Sequence, residues 1–359
     1  MKRNNRLPTF PATASHLALP EQLAQQAANA VRELLAEAAA ANTTRSYATA
    51  LRYWAGWHQA RFGVELTLPV SEAVVIQFLV DHIQRKSKTG LINELPPTLD
   101  QALVVAGLKA KTGPLKLSTV VQRVAVLSTA HKLKRLANPC ELPSVRTLLS
   151  RARRASVKRG ERPTKKTAIT RAELEAMLAT CDDSLEGRRD RALLCFGFAS
   201  GGRRRSEIAA ADMRDLRKVG EDGYIYRLEY SKTQQAGVTV DSMPDKPILG
   251  RSAEALAAWL AAAGIQEGAI FRRIWKDRVG PALLPGSVAS IVKRRARMAG
   301  LEGDFGAHSL RSGFVTEAGK QGVPLPAVMA MTEHRSVASV IGYFQTGAAE
   351  DNPAGRLLK

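Results

Sequence analysis

Features that define several other classes of protein are scarce in this 359-residue sequence. It has only three cysteines, Cys140, Cys181 and Cys195, far apart and without a Cys-x-x-Cys pair or a nearby histidine at metal-site spacing. This pattern argues against a disulfide framework and a structural zinc site, and it favours three small buried side chains. A run of about 18 apolar residues is also lacking, so the sequence predicts no membrane span.

Acidic residues are few relative to basic ones. The sequence has 33 Asp and Glu against 53 Lys and Arg, a formal net charge of +20 and a pI near 10.3. Such a balance favours a polyanionic partner, because each neutralised phosphate releases condensed counterions, and nucleic acid fits better than a membrane surface. Residues 1–6 are basic but no apolar segment follows them, which argues against a signal peptide and favours a cytoplasmic protein.

The first half of the chain has the periodicity of helices. We expect a flexible arm over residues 1–19 and a helical domain over residues 20–145, whose first helix covers residues 20–41. In the second helix four apolar side chains recur at helical spacing: Tyr47, Leu51, Trp54 and Trp57. Because this stripe keeps the helical period, we interpret it as core and not as a base-stacking platform.

A long segment interrupts this helical pattern. Residues 86–115 are rich in Lys, Gly, Pro and Thr and contain one apolar patch, residues 102–108. The segment is longer than an ordinary connection. A short extra helix and a mobile insertion are both consistent with it, and the sequence assigns it no function.

A basic run marks the expected boundary between two domains. Residues 146–166 contain nine Lys or Arg and one acidic residue, Glu161. Like-charge blocks are commonly extended and solvated, which is one interpretation. The position of the run favours the other, an interdomain linker over residues 146–168 that lies across DNA phosphates.

The second domain, residues 169–359 including a C-terminal tail, begins with a capping box of Thr170 and Glu173. Residues 224–230 and 237–240 alternate in the strand period, which predicts a hairpin with Lys232 at the end of a strand. The remainder is mostly helical. The predicted fold class is therefore mainly α, with an N-terminal helical bundle and a C-terminal mixed α/β domain that contains a small antiparallel sheet.

Six side chains in this domain suit metal-free phosphoryl chemistry. They are Arg204, Lys232, His308, Arg311, His334 and Tyr343. Guanidinium groups can clamp phosphate oxygens, a lysine can protonate a leaving oxygen, histidines can exchange protons and a phenol can attack. Each residue alone is a weak signal, because a His-x-x-Arg pair arises readily by chance in an arginine-rich chain. Their joint order and spacing suggest cleavage of DNA by covalent attachment.

This pattern resembles the tyrosine recombinase (phage integrase) family, and its proportions are most similar to Cre-type members. The resemblance covers residues 42–359 and is strongest over residues 168–345. It places the first box of the family at residues 202–208, with its catalytic arginine at Arg204, and the second box at His308 and Arg311. Thr332 and Glu333 depart from the Leu-Gly that many members carry before the histidine corresponding to His334.

The resemblance implies a role for each residue. Arg204 and Arg311 hold the non-bridging oxygens, Tyr343 attacks, and His308 acts as the general base. The remaining assignments are Lys232 as the acid for the departing 5′ oxygen, His334 as a hydrogen-bond donor to the phosphate and Glu207 as a support for the site.

The implied reaction passes through a 3′-phosphotyrosyl intermediate and needs no cofactor and no metal. The implied partner is double-stranded DNA with a specific inverted-repeat site, and no membrane is involved. The resemblance implies a homotetramer on DNA and a monomer when the protein is free. Two alternatives stay open: a type IB topoisomerase-like enzyme that relaxes DNA, and an inactive DNA-binding accessory protein of the same fold.

Polar side chains on helical faces are the candidates for DNA contacts. Arg45, Gln122, Arg123, Ser287 and Ser290 are expected to read bases, the serines mainly because of the resemblance. Contacts to the DNA backbone are expected from a further set: Lys132, Arg151, Arg153, Arg154, Lys158 and Arg159.

Overall fold

The computed structural model describes residues 41–88, 90–161, 166–221, 223–229 and 243–343. The chain divides into two compact units, residues 1–163 and 164–359, each with a hydrophobic core of its own. The expected arm and the helix expected over residues 20–41 lie almost wholly outside the described residues. In the described residues helices predominate and the sheets are small and antiparallel, so the predicted mainly α class is confirmed.

The first unit consists of five helices and one small hairpin in its described part. The elements are α1 (Ala41–Phe62), α2 (Glu72–His82), β1 (Arg85–Ser87), β2 (Gly90–Ile92), α3 (Pro97–Val105), α4 (Leu117–Leu133) and α5 (Pro143–Lys158). The stripe of α1 is core at its second half, since Trp54 and Trp57 are fully buried and Trp54 stacks on Phe78 of α2 at 3.7 Å between ring centroids. Tyr47, the first residue of the stripe, is exposed, because it lies near the start of α1. The long segment over residues 86–115 contains the hairpin turn and α3, so an extra short helix is the interpretation that holds.

Most of the expected interdomain linker is helical. Residues 146–158 belong to α5, which buries Val145, Leu149, Ala152 and Ser156. Those positions follow a 4-3-4 spacing and lie on one face, while the basic residues occupy the others. Burial of this stripe stabilises a helix despite the charge, so an extended linker begins no earlier than Arg159.

The second unit contains eight helices in its described part. They are α6 (Arg171–Ala179), α7 (Leu185–Ala199), α8 (Arg205–Ala209), α9 (Arg251–Ala263), α10 (Pro285–Met298), α11 (Ala307–Lys320), α12 (Leu325–Thr332) and α13 (Val337–Tyr343). The predicted capping box opens α6, where the Glu173 carboxylate accepts a hydrogen bond of 2.8 Å from the Thr170 amide. The central helix α7 is buried along most of its length and packs against α9.

Two sheets accompany these helices in the described part of the second unit. Strands β3 (Leu216–Val219), β4 (Gly223–Arg227) and β5 (Asp245–Leu249) form an antiparallel sheet in that order. Only the first part of the predicted hairpin is seen, in β4, because residues 230–242, Lys232 among them, lie outside the described residues.

Strands β6 (Arg272–Trp275) and β7 (Arg278–Ala282) form a hairpin that the sequence pattern did not predict. Its two turn residues, Lys276 and Asp277, both have positive φ, as a two-residue hairpin turn requires. They lack the Asn-Gly or Asp-Gly signature of such turns, which explains why the sequence gives no sign of this hairpin.

Candidate active site

A diglycine turn between α7 and α8 positions the first arginine of the site. Gly201 and Gly202 have φ values of +97° and +69°. A Cβ atom on Gly202 would lie 2.4 Å from the Arg311 Cα, and one on Gly201 would lie 2.2 Å from the Met331 carbonyl oxygen. The turn therefore lies directly against α11 and the end of α12, and only glycine allows this approach.

Arg204 follows this turn as the N-cap of α8 and is oriented by Glu207. The Glu207 carboxylate accepts hydrogen bonds from the Arg204 amide at 3.0 Å and from its Nη1 at 2.6 Å. Burial raises the pKa of Glu207, but Arg203 and Arg204 lower it by more, so the net pKa lies below its ordinary value. Glu207 is thus a charged acceptor that fixes the Arg204 guanidinium.

Arg203 is a second, structural arginine that the sequence pattern does not single out. It is 1 % exposed and donates from Nη2 to the Met331 carbonyl oxygen at 2.5 Å. Its Nη1 lies 3.7 Å from the Glu207 carboxylate. Arg203 therefore joins the start of α8 to the end of α12. Among three consecutive arginines, the sequence offers no signal that separates the buried one from the other two.

Arg311 and His334 are in direct contact. Arg311 is fully buried, and its Nε lies 3.4 Å from the His334 Nε2 and its Nη1 3.4 Å from the Gly202 carbonyl oxygen. Its Nη2 donates to the Thr332 carbonyl oxygen. A guanidinium held on three sides in this way is fixed in orientation before any substrate arrives.

The two residues that depart from the family pattern support His334. The Thr332 hydroxyl is 2.7 Å from the His334 Nδ1. Glu333 has a φ of +58°, the left-handed region that glycine adopts most readily, and its carboxylate lies 3.4 Å from Nζ of the fully buried Lys246 on β5. Glu333 thus adopts a conformation that glycine favours, and a buried ion pair holds it there.

Both histidines have lowered pKa values. Burial and then the charges of Arg311 and Arg204 lower the pKa of His308, which stands in the first turn of α11. The same causes in the same order, with Arg203 and His308 as smaller ones, lower the pKa of His334 to about 4. Both rings are therefore neutral near pH 7. Together with the contact between Arg311 and His334 and the approach of the Gly202 turn to Arg311, these shared charges place Arg204, Arg311 and the two histidines in one site.

The helix that carries Tyr343 is anchored beside this site. Tyr343 is the last residue of α13, and Val340 on that helix is buried against Val315 of α11 and Val328 of α12. The backbone of the expected nucleophile thus belongs to a helix packed on the helix of His308 and Arg311. The side chain of Tyr343 lies outside the described part of the structure, as does Lys232.

Comparison with known proteins identifies the family. The model of the phage integrase family matches residues 167–350. The chain belongs to the phage integrase family of tyrosine recombinases. The predicted resemblance is confirmed, and the family gives the protein a coarse function, DNA binding and DNA recombination.

Two curated members of the family are similar over much of the chain. An integrase/recombinase XerD homolog of Selenomonas ruminantium is 33 % identical over 256 residues, which cover 67 % of this chain and 72 % of that protein. The Cre recombinase of Escherichia phage P1 is 22 % identical over 264 residues, which cover 68 % of this chain and 75 % of Cre.

Solved tyrosine recombinase structures share the fold. A lambda integrase (residues 75–356) dimer bound to a COC′ core site has a TM-score of 0.53 at 15 % identity, covering 92 % of this chain and 96 % of that one. XerH bound to a palindromic difH substrate, in a post-cleavage complex, has a TM-score of 0.52 at 16 % identity, covering 87 % of this chain and 79 % of that one.

The expected base-reading residues of the recombinase differ in accessibility. Arg45 on α1 and Ser290 on α10 are exposed, while Ser287 is half-buried. Gln122 on α4 donates a hydrogen bond of 3.1 Å to the Ser46 hydroxyl, which orients its amide. Arg123 differs from these residues because it lies in the interior.

Arg123 is 8 % exposed, and its guanidinium lies 3.2 Å from the ring centroid of Tyr53. Such a cation–π contact in the interior is a packing role, so the structure does not favour Arg123 as a reader of bases. Arg123 directly follows Gln122 on α4, and the sequence pattern alone does not show that the two side chains lie on different faces of the helix.

The expected backbone-contacting residues are mostly on the surface. Arg151, Arg153, Arg154 and Lys158 are exposed on α5. Lys132 on α4 pairs with Glu141 at 2.5 Å, and Arg159 pairs with Glu161 at 2.7 Å, so a phosphate would compete with these carboxylates.

Metal clusters and membrane spans are both absent from the described ranges. There, no group of three or more His, Cys, Asp or Glu side chains is arranged to hold a metal ion. None of the helices in those ranges is both long and apolar enough to cross a membrane.

Proposed function

We propose that this tyrosine recombinase is a site-specific enzyme that cleaves and rejoins DNA through a covalent 3′-phosphotyrosyl intermediate at Tyr343, in integration, excision or resolution. One observation carries the proposal. Arg204, His308, Arg311 and His334 come from three separate segments of the chain and share one electrostatic site. A fold kept only for DNA binding has no need of two fixed guanidiniums beside two neutral histidines.

The two arginines stabilise the phosphate in the transition state. Charge develops on the non-bridging oxygens during in-line displacement, and permanently charged, planar guanidiniums match that geometry. Arg311 is held by Thr332 and the Gly202 carbonyl oxygen, and Arg204 is held by Glu207. Because these groups are oriented in advance, little reorganisation accompanies the reaction.

His308 acts as the general base in the proposed step. A phenol has a free pKa near 10, so it attacks efficiently at neutral pH only when its proton is removed. The lowered pKa of His308 keeps its ring neutral and able to accept that proton. The Tyr343 oxygen then forms a bond to phosphorus as the bond to the 5′ oxygen breaks, and Lys232 protonates the departing oxygen.

Religation reverses this step. A 5′ hydroxyl attacks the phosphotyrosyl bond, the phenol leaves and recovers its proton from His308, and a phosphodiester is restored without an external energy source. His334 donates a hydrogen bond to the phosphate in both directions. Attack by a strand from a second duplex gives recombination.

The proposed assembly is a homotetramer on two inverted-repeat sites, formed by cytoplasmic monomers without a metal or cofactor. The solved relatives support a DNA-bound multimer, since one is a dimer on a core site and another is bound to a palindromic substrate. In this arrangement the first unit, which includes α5, forms the core-binding domain, the linker follows α5 and ends at residue 168, and residues 169–359 form the catalytic domain.

A suicide substrate tests the proposal. The DNA flanking the gene is searched for an inverted repeat around a short spacer, and a nicked duplex of that repeat is incubated with the wild type and with Tyr343→Phe. We expect a covalent adduct from the wild type alone. An adduct with Tyr343→Phe would show that the nucleophile is another residue.

Two intact duplexes distinguish the remaining functions. A recombinase exchanges strands between two sites, whereas a topoisomerase relaxes any supercoiled plasmid without exchange. Relaxation without exchanged product would support the topoisomerase-like alternative. DNA binding with no adduct under any condition would support an inactive accessory protein.

A further inference from the structure

Thr332 contacts both His334 and Arg311. It is the last residue of α12 and is fully buried. Its hydroxyl lies 2.7 Å from the Val328 carbonyl oxygen and 2.7 Å from the His334 Nδ1, and its own carbonyl oxygen accepts from the Arg311 Nη2. One residue that would not itself touch the phosphate therefore holds two groups that would.

The hydrogen-bond pattern defines the proton position on His334. The Thr332 hydroxyl has one proton, and donating it to the Val328 carbonyl leaves the hydroxyl oxygen as the acceptor for Nδ1–H. On the other side of the ring, the Arg311 guanidinium can only donate, so the His334 Nε2 must carry a lone pair. Both contacts independently favour the same neutral tautomer.

We propose that Thr332 is a positioning residue that holds His334 as the Nδ1–H tautomer and holds Arg311 through its carbonyl, so that both side chains are aligned for the phosphate. This proposal rests on the proposed recombinase function. Thr332 is one of the two residues that depart from the family pattern.

The held tautomer has a consequence for the reaction. Nε2 faces the site without a proton, so His334 can donate to a phosphate oxygen only after it takes one up. The charges that face the ring are Arg311 and His308 from α11 and Arg204 and Arg203 from the turn before α8, and all of them oppose this proton in the free protein. A bound phosphate anion offsets them. Nδ1–H donation to Thr332 stabilises the resulting imidazolium.

Three proteins test the role of the hydroxyl: the wild type, Thr332→Val, which has the same shape without the hydroxyl, and Thr332→Ser, which keeps the hydroxyl. The readout is the single-turnover rate of adduct formation on the suicide substrate as a function of pH. Removing one oriented hydrogen bond should slow Thr332→Val about 10-fold. The alkaline limb of its pH profile should move to lower pH, because an imidazolium without its acceptor loses its proton at a lower pH. Thr332→Ser should retain both the rate and the limb.

The results separate failure of this proposal from failure of the proposed function. A wild type that forms no adduct removes the recombinase function. A wild type that forms the adduct, with Thr332→Val equal to it in rate and pH profile, overturns the role of Thr332 alone. A Thr332→Ser variant as slow as Thr332→Val also overturns it, because the methyl group would then be the part that matters.

A measurement on the wild type keeps the proposal testable if Thr332→Val does not fold. Long-range ¹H–¹⁵N correlation spectra of histidine-labelled protein, with His334→Gln for assignment, report which nitrogen carries the proton. We expect protonated Nδ1 and unprotonated Nε2 in the free protein at neutral pH. A proton on Nε2 would overturn the proposal.

Discussion

The buried ion pair between Lys246 and Glu333 predicts a strong coupling between β5 and the turn that carries His334. The Lys246 side chain is 0 % exposed and the Glu333 side chain 5 % exposed, with 3.4 Å between Nζ and Oε1. Nζ also donates to the Ala330 carbonyl oxygen at 2.7 Å. The perturbation is a double-mutant cycle of Lys246→Met, Glu333→Gly and their combination.

The magnitude follows from burial and distance. Two unit charges at this distance attract by about 5 kcal/mol at an effective dielectric constant of about 20. Removing one partner takes away the nearest opposite charge from a buried group, which typically costs about 3 to 5 kcal/mol. Lys246→Met should lower the free energy of local unfolding by that amount. Glu333→Gly should cost about 1 kcal/mol less, because glycine at a φ of +58° relieves backbone strain.

The double variant should recover most of this loss, since both charges of the pair are then removed together. Hydrogen exchange of peptides covering residues 243–249 and 325–334 in the full chain measures the local free energy, and peptides from α1 serve as the control. If the loss of local unfolding free energy in the double variant equals the sum of the two single losses, the reasoning is refuted. Such a result would mean that Lys246 and Glu333 stabilise the turn independently of each other.

Three further predictions concern the site, its pH dependence and the DNA interface. Gly202→Ala should abolish adduct formation, because a Cβ atom there would lie 2.4 Å from the Arg311 Cα. DNA binding, measured by gel shift, should be retained. Normal cleavage would show that α11 can move away from the new methyl group. Glu207 has a lowered pKa in the folded state, so its contribution to the free energy of unfolding is complete above its ordinary pKa of 4.5 and is lost as the pH falls below that value. In urea titrations at several pH values, the free energy of unfolding of Glu207→Gln should depend less on acid pH than that of the wild type. An equal dependence would contradict this. Replacing Arg151, Arg153 and Arg154 with Gln should lower the slope of log affinity against log salt by roughly 0.9 for each phosphate that is no longer neutralised, equally for all DNA sequences; a changed site preference would mean that α5 reads bases.

The expectations that held rest on local signals. The capping box at Thr170 and Glu173 and the aromatic stripe of α1 are patterns within one element, and each element forms where its pattern indicated. The turn at Gly201 and Gly202 likewise follows from the need for positive φ. The first part of the linker expected over residues 146–168 is wrong, since residues 146–158 are helical. That expectation followed the charge of the segment and not the apolar 4-3-4 spacing that makes α5 a helix. The burial of Arg123 by a neighbouring helix is likewise not visible in the sequence.

The sequence by itself determined the family, the mainly α class and the order of the residues suited to phosphoryl chemistry. These depend on residue type and spacing, which are properties of the chain. Only the tertiary structure shows that Arg203 is buried and bonded to the end of α12, and that Lys246, 87 positions before Glu333, forms an ion pair with the turn at His334. The hydrogen-bond partners of His334 and the lowered pKa values of both histidines also depend on the tertiary structure. Such properties depend on burial and on distances between groups far apart in the chain, and packing alone creates them.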